Sequence, residues 1–247
     1  MARLAIIGGT GLEKLPADYQ IKEEVVETVY GMGYVYTAQY RTSEILFQPR
    51  HDTEHTLLPH QINYRANILA LKAKSVTHIL ASNAVGSLRP DLLPGELVLL
   101  SDFIDFSRGR NCTLFEMDQK PMEQMHTDFS APYSPVLREY LLDAAADIGV
   151  DLLPRGVYLC TSGPRYETPA EVRLFSSWGA DVVGMTGLPE AILAREAGIE
   201  YAAVAIVTNL AAGISYKPIK HTDVVEKMHS KSEEIQRLFL EVASKLI

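Results

Sequence analysis

Two polar segments near the start of the sequence have residue types that suit an anion. Residues 8–11 read Gly-Gly-Thr-Gly, where successive backbone N–H groups can form an anion-binding nest and Thr10 adds a hydroxyl donor. The segment matches neither the dinucleotide-binding nor the Walker glycine pattern, so a plain tight turn is an equal alternative. Arg50 and His51 form the second segment, because a guanidinium beside an imidazole suits phosphate. The alternative there is a surface arginine with a histidine that caps a turn.

Two further segments place small or hydroxyl-bearing residues after apolar runs. Residues 83–87 read Asn-Ala-Val-Gly-Ser and are predicted to be a turn after a strand, where small residues leave room for a ligand or allow close packing. Met185 and Thr186 lie between a strand and a helix with Pro189 in its first turn. Because a helix N-terminus favours negative charge, this is a third place where an anion is expected.

Two other segments suit a planar heterocycle. Tyr166 and Glu167 put an aromatic face next to a carboxylate, which can stack on a ring and accept its N–H. Asn209 follows Thr208 at the end of an apolar run, where its amide can donate and accept at once. A buried structural asparagine would have the same sequence signature.

Metal-ligand residue types come together in the sequence at one place. These residues are His51, Asp52, Glu54, His55 and His60. Their spacing is not that of a common metal motif, so we expect no metal.

Composition narrows the class of protein. The chain has 247 residues, a net charge of −8, and 47% apolar and 22% charged residues, which is typical of a globular protein. Because it carries no basic cluster, nucleic acid is not an expected partner. No apolar run is long enough for a signal peptide or a membrane span, so we expect no membrane association and a cytoplasmic location. Cys112 and Cys160 lack the C-x-x-C spacing and are predicted to be buried structural thiols.

Apolar β-branched runs alternate with helical patterns along the whole chain, which predicts one α/β domain over residues 1–247. The predicted strands are Leu4–Ile7, Ile45–Gln48, His78–Ser82, Leu97–Leu100, Val157–Cys160, Asp181–Gly184 and Ala202–Thr208. The predicted helices are Tyr64–Ala73, Val136–Ile148, Ala170–Trp178, Glu190–Ala197 and an amphipathic segment that starts at Asp223. The longest irregular stretch, Ser107–Pro135, is predicted to close a site or to meet a neighbouring subunit.

Together these segments resemble the trimeric purine nucleoside phosphorylase family, most closely its methylthioadenosine phosphorylase branch. The motifs recur in family order over almost the whole chain: G-G-T-G at 8–11, R-H at 50–51, N-Y-R-A-N at 63–67, N-A-V-G-S at 83–87, G-P-R at 163–165, M-T at 185–186 and T-N at 208–209. The resemblance implies a three-layer fold with a twisted central mixed β-sheet flanked by helices. It also implies a homotrimer that uses inorganic phosphate as co-substrate and no cofactor.

The resemblance assigns roles to individual residues. Phosphate is implied to contact Thr10, Arg50, His51, the Asn83–Ala84 backbone and Thr186. The pentose is implied to contact Met185, and the base to contact Val85, Gly86, Tyr166, Glu167 and Asn209. Arg50, His51 and Asn209 are the implied catalytic residues, with Asn209 stabilising the departing base.

The chain departs from the methylthioadenosine branch at the base. Asn209 stands where that branch has an aspartate, and Ala211 replaces a second aspartate. An amide can donate to a carbonyl at purine position 6, and Glu167 can accept from the N1–H that 6-oxopurines carry. An unsatisfied buried group costs about 1–3 kcal/mol, so roughly 10- to 100-fold preference for 6-oxopurines is expected.

The 5′ end of the sugar leaves alternatives. Val224 and Val225 suit an alkylthio group, and His126 matches a residue that the branch contributes from a neighbouring subunit, whereas His221 suits a 5′-hydroxyl. Phosphorolysis of S-methyl-5′-thioinosine is therefore the leading expectation. Methylthioadenosine, or inosine and guanosine, are the alternative substrates, and a non-catalytic nucleotide-binding protein is the alternative from another class.

Overall fold

A mixed β-sheet of nine strands forms the centre of the described part of the chain, which comprises residues 2–12, 21–41, 43–54, 56–117 and 125–247 of a computed structural model. The strands are β1 (Leu4–Gly8), β2 (Ile21–Thr28), β3 (Gly31–Tyr40), β4 (Ser43–Pro49), β5 (His78–Ser87), β6 (Leu97–Phe106), β7 (Leu152–Thr161), β8 (Val182–Gly184) and β9 (Glu200–Leu210). The helices are α1 (Tyr64–Ala73), α2 (Pro135–Ile148), α3 (Pro169–Ser177), α4 (Gly187–Glu196) and α5 (His221–Leu246).

The strand order is β2-β3-β4-β1-β5-β8-β7-β6-β9, and β9 also pairs with β5. The strands β5, β8, β7, β6 and β9 therefore form a closed ring, with β4, β1 and the β2–β3 hairpin extending from β5. Parallel pairs such as β1–β5 and β5–β9 occur with antiparallel pairs such as β6–β9. The sheet is mixed, which confirms the predicted class.

Helices cover both faces of the sheet. In β1, Leu4 and Ile6 belong to a core that also contains residues of α2 and α5, whereas Ala5 and Ile7 belong to a core that contains residues of α1 and α4. Both faces of this strand are apolar because each packs on helices, as is usual for parallel strands. Helices α1 and α2 begin at side-chain caps, Asn63 and Ser134 respectively. None of the helices in the described ranges is long and apolar enough to cross a bilayer.

Several predicted boundaries were wrong. The turn predicted at residues 83–87 is the second half of β5, since hydrogen bonding to β9 and β8 on either side continues the strand. The β2–β3 hairpin was missed because β2 is mostly exposed and polar at Lys22, Glu23 and Glu24, so it carries no buried apolar run. Cys160 is buried as predicted, whereas Cys112 is only partly buried.

Candidate functional site

A cavity of about 330 Å³ lies at the carboxyl ends of β1, β4, β5, β7 and β9. Open α/β sheets bind ligands at this edge. Thirteen of the residues predicted for a site line the cavity: Thr10, Arg50, His51, Ala84, Val85, Gly86, Tyr166, Glu167, Met185, Thr186, Asn209, His221 and Val224. The structure therefore brings together the residues assigned to phosphate, sugar and base.

Arg50 is held in place by a buried ion pair. Its Nε and Nη2 both donate to the Glu190 carboxylate, the latter at 2.8 Å, and its Nη1 donates to the Ser82 carbonyl at 2.8 Å. The two ionic side chains are 1% and 4% exposed. Burial alone would lower the pKa of the Arg50 guanidinium, but the Glu190 carboxylate raises it above its usual value. Because the two charges cancel, an anion here is met mainly by hydrogen-bond donors.

The glycine turn after β1 packs directly on Arg50. Leu12 N donates to Gly9 O at 2.9 Å, which makes residues 9–12 the tight turn that was one of the two sequence interpretations. A Cβ on Gly9 would lie 2.5 Å from Arg50 Nη1, so only glycine lets the guanidinium approach. Gly11 has a φ of +76°, and a Cβ added to it would lie 2.9 Å from the Met228 backbone, so the turn also packs against α5.

His51 has a fixed tautomer. Its Nδ1 lies 2.7 Å from the Leu57 carbonyl oxygen. A carbonyl can only accept, so Nδ1 carries the hydrogen and, in the neutral ring, Nε2 is an acceptor. A protonated oxyanion such as hydrogen phosphate can donate to that nitrogen.

Thr186 is oriented by side chains behind the cavity. Asn83 Nδ2 donates to Thr186 Oγ1 at 3.3 Å, so the hydroxyl hydrogen of Thr186 points elsewhere. The backbone N–H groups of Thr186 and Gly187 donate to the Tyr158 hydroxyl at 3.2 and 3.3 Å. These two N–H groups at the start of α4 are therefore already bonded within the protein, and the Thr186 hydroxyl is the group of this residue that can donate to a ligand.

Glu167 is a buried carboxylate in the lining. It is 9% exposed, and Thr161 Oγ1 donates to its Oε1 at 2.9 Å. Burial raises the pKa of Glu167 above its ordinary value, although the Thr161 hydroxyl opposes this shift. Tyr166, its neighbour, also lines the cavity and gives it an aromatic face.

Asn209 has a defined amide orientation. Its Nδ2 donates to the Leu210 carbonyl at 3.1 Å, and its Oδ1 lies 2.9 Å from the Thr208 hydroxyl, which donates either to it or to the Val85 carbonyl. Because the Leu210 carbonyl can only accept, the nitrogen faces it. The second hydrogen of Nδ2 and the lone pairs of Oδ1 give the residue one donor and one acceptor for a ligand.

Some predicted residues do not line the cavity. Asn83 is 1% exposed and acts behind Thr186, and Val225 is partly buried on the neighbouring position of α5. His126 is exposed and does not line this chain's cavity, so its role at a neighbouring subunit stays a prediction. His55 lies outside the described residues. Within the described ranges, no three side chains of metal-ligand type come together.

Other residues of the site were missed by sequence reasoning. Leu57 and Leu58 line the cavity after the R-H motif. Three residues hold lining residues in place: Glu190 bonds to Arg50, Tyr158 to Thr186 and Thr161 to Glu167, at separations of 140, 28 and 6 residues along the chain. Pairing over 140 and 28 residues leaves no local signal, whereas Thr161 lies two residues before the G-P-R motif and could have been found there.

The chain is similar to known proteins over almost its whole length. The family model of the phosphorylase superfamily matches residues 3–244. The chain is 47% identical over 243 residues to the 6-oxopurine nucleoside phosphorylase of Pyrococcus furiosus, covering 97% of this chain and 91% of that protein. It is 42% identical over 247 residues to a probable S-methyl-5′-thioinosine phosphorylase of Pseudomonas syringae pv. tomato, covering 99% of both. The structure of methylthioadenosine phosphorylase from Schistosoma mansoni with adenine superposes with a TM-score of 0.91 at 29% identity, covering 99% of this chain and 92% of that one.

Proposed function

Since the chain belongs to the phosphorylase superfamily, we propose that it is an enzyme that cleaves 6-oxopurine nucleosides with inorganic phosphate. One observation carries the proposal: Asn209 and Glu167 line the same cavity as Arg50, His51 and Thr186. Groups that suit a 6-oxopurine and groups that suit phosphate thus face one space, in which a pentose can join them. The relative at 47% identity is named for 6-oxopurine nucleosides and the relative at 42% identity for S-methyl-5′-thioinosine, and both names support this class of base.

Phosphate binds at the end of the cavity that holds Arg50, His51 and Thr186. Arg50 keeps N–H groups beyond the three that Glu190 and Ser82 occupy, and Thr186 supplies its hydroxyl. Thr10 also lines the cavity and follows Gly9, which packs against the Arg50 guanidinium. His51 Nε2 accepts from the P–OH of hydrogen phosphate, which turns an unprotonated oxygen of the anion towards the sugar.

The reaction moves the pentose from nitrogen to oxygen. A phosphate oxygen forms a bond to the anomeric carbon as the bond from that carbon to purine N9 breaks, through an oxocarbenium-like transition state. The proton of hydrogen phosphate ends on the base, so the products are the neutral purine and a pentose 1-phosphate dianion. Positioning the anion and stabilising the leaving base supply the catalysis, and the protein provides no covalent nucleophile.

Asn209 and Glu167 bind the departing base. Asn209 Oδ1 accepts from a protonated N7 while Nδ2, already oriented by Leu210, donates to the oxygen at position 6. Glu167, oriented by Thr161, accepts from N1–H. Adenine has an amino group at position 6 and a lone pair at N1, so both contacts disfavour it.

The first candidate substrate is S-methyl-5′-thioinosine. Besides Val224, the lining contains the apolar side chains of Leu57 and Leu58, which suit a methylthio group. Inosine and guanosine are the second candidate, because His221 also lines the cavity and can bond to a 5′-hydroxyl. Methylthioadenosine ranks below both because of its 6-amino group.

We further propose a homotrimer that works without metal or organic cofactor, in which His126 of one subunit reaches the 5′ end of the next subunit's site. Light scattering after size exclusion should give a mass near three times 27.4 kDa. A monomer with full activity would contradict the assembly. Activity should survive dialysis against a chelator.

Release of base tests the function. The protein is incubated with S-methyl-5′-thioinosine, inosine, guanosine and methylthioadenosine, with and without phosphate, and base and pentose 1-phosphate are quantified by chromatography. We expect phosphate-dependent release of hypoxanthine or guanine with one equivalent of sugar phosphate. A protein that binds nucleoside but releases no sugar phosphate is the non-catalytic alternative, and release at the same rate without phosphate would identify a hydrolase.

A further inference from the structure

Arg110 connects two walls of the cavity from behind. It belongs to the irregular stretch after β6, and its Nη1 donates to the Met185 carbonyl at 2.5 Å while its Nη2 donates to the Ser162 carbonyl at 2.6 Å. Met185 lines the cavity, and Ser162 begins the segment 162–167 that carries Tyr166 and Glu167. One planar guanidinium thus joins the segment assigned to the sugar with the segment assigned to the base.

Arg110 itself does not line the cavity, so it can act on a ligand only through these neighbours. Its guanidinium lies 5.7 Å from the centroid of the Tyr64 ring, which holds the cation against the body of the protein. The Met185 side chain also packs against Gly163, because a Cβ on Gly163 would lie 2.5 Å from Met185 Sδ. A change in the position of Ser162 would therefore be passed directly to Met185.

The chain that follows Arg110 is anchored at a second point. Leu114 N and Thr113 Oγ1 donate to a Glu196 carboxylate oxygen at 2.6 and 3.2 Å, and the Tyr30 hydroxyl donates to the Leu114 carbonyl at 2.9 Å. Arg110 therefore starts from a fixed backbone, which allows it to fix other segments.

We propose that Arg110 is a positioning residue that sets the separation between Met185 and segment 162–167, and so governs nucleoside affinity without governing phosphate affinity. The inference rests on the proposed function. The phosphate contacts have supports of their own: Glu190 and Ser82 orient Arg50, and Asn83 bonds to the Thr186 hydroxyl. The Met185 carbonyl shares a peptide unit with the Thr186 N–H, and Tyr158 holds that N–H independently of Arg110. Loss of Arg110 should thus affect the two substrates unequally.

The test compares Arg110→Ala and Arg110→Lys with Arg108→Ala as a matched control. Arg108 is in the same stretch and carries the same charge, but its guanidinium lies 5.3 Å over the Phe106 ring and bonds to neither carbonyl. A shift of about 1 Å in a group that positions the substrate can cost on the order of 100-fold, so Arg110→Ala should raise the nucleoside KM about 10- to 100-fold. The phosphate KM should stay within twofold, and Arg108→Ala should match the wild type.

Two further measurements separate positioning from a general structural role. Ethylguanidinium at millimolar concentration should restore part of the nucleoside affinity of Arg110→Ala and leave Arg108→Ala unchanged. Arg110→Lys, which retains the charge but not the planar fork, should give an intermediate nucleoside KM. If Arg110→Ala does not fold, the lysine variant decides, because an unchanged nucleoside KM in that variant overturns the inference.

Equal loss of nucleoside and phosphate affinity, or the same effect in Arg108→Ala, would also overturn the inference. These outcomes differ from a failure of the proposed function. In that case the wild-type protein itself would show no phosphate-dependent release of base, whereas the inference fails when the wild type is active and the Arg110 and Arg108 variants give one of the contrary outcomes named above.

Discussion

Exchanging Asn209 for aspartate should move the base preference from 6-oxopurines towards 6-aminopurines. The Leu210 carbonyl fixes which amide atom faces it, so the Asn209 nitrogen is the donor on that side. Aspartate places an oxygen there, which removes the donor for the oxygen at purine position 6 and brings a second acceptor near it. The same oxygen can accept from the amino group of adenine.

The expected size of the shift in base preference follows from the contacts that differ between the 6-oxopurine and the 6-aminopurine. The lost bond to Leu210, 3.1 Å long, affects both substrates equally and cancels in their ratio. Facing two acceptors costs the 6-oxopurine about 1–3 kcal/mol, and the 6-aminopurine gains about 1 kcal/mol. A combined change of about 2–4 kcal/mol corresponds to a shift of roughly 30- to 1000-fold in the ratio of kcat/KM values.

The assay uses S-methyl-5′-thioinosine and methylthioadenosine, which differ only in the base. We expect Asn209→Ala to lower both rates and to bring their ratio closer to one. Thr208→Val removes the hydroxyl next to Asn209 Oδ1 but leaves the amide in place, so it should keep the wild-type ratio. A ratio within threefold of the wild-type value in Asn209→Asp would refute this account of base selection.

Three other expectations follow from the supporting contacts. Glu190→Gln leaves the buried Arg50 charge without its partner, at a cost of about 3–5 kcal/mol. Scanning calorimetry should therefore show a Tm lower by roughly 6–20 °C. A decrease in Tm of less than about 2 °C would argue against a stabilising ion pair. Burial raises the pKa of Glu167, and its protonated carboxyl would no longer accept from N1–H. Hypoxanthine affinity, measured by titration calorimetry without phosphate, should therefore fall as the pH is lowered, with a midpoint above 4.5. A midpoint at or below 4.5 would contradict this expectation. Tyr158→Phe removes the acceptor of the Thr186 N–H, at a cost of about 1–3 kcal/mol. It should raise the phosphate KM about 5- to 100-fold and leave the nucleoside KM within about twofold of the wild-type value. A raised nucleoside KM with an unchanged phosphate KM would instead assign Tyr158 to binding of the base.

The elements that position the site were largely predictable from the sequence. Buried parallel strands such as β1 and β9 are continuous apolar runs, and α1 begins at Tyr64 and ends at Ala73 as its periodicity predicts. The polar residues that follow these runs line the cavity because the ends of neighbouring strands meet at one edge. The local sequence pattern was sufficient to predict a strand when both of its faces are buried, because burial requires apolar residues on each face.

Sequence reasoning failed where distant residues determine the structure. The strand β5 continues to Ser87 because β9 and β8 pair with it, although Gly86 by itself favours a turn. Arg50 appears in the sequence as an isolated cation, yet its state is determined by Glu190, 140 residues away. The outer strand β2 lacks a buried face and so resembles a loop in its composition.

The closed ring of β5, β8, β7, β6 and β9 restricts how the protein can move. Ala84 on one side of the cavity and Asn209 on the other are carried by β5 and β9, which are hydrogen-bonded to each other within that ring. A ring has no unpaired edge from which fraying can start, and its strands cannot swing apart about a hinge without breaking a whole ladder. We therefore expect substrate and product to pass by movement of the loops and of the start of α5, with less movement in the strands that form the floor of the cavity.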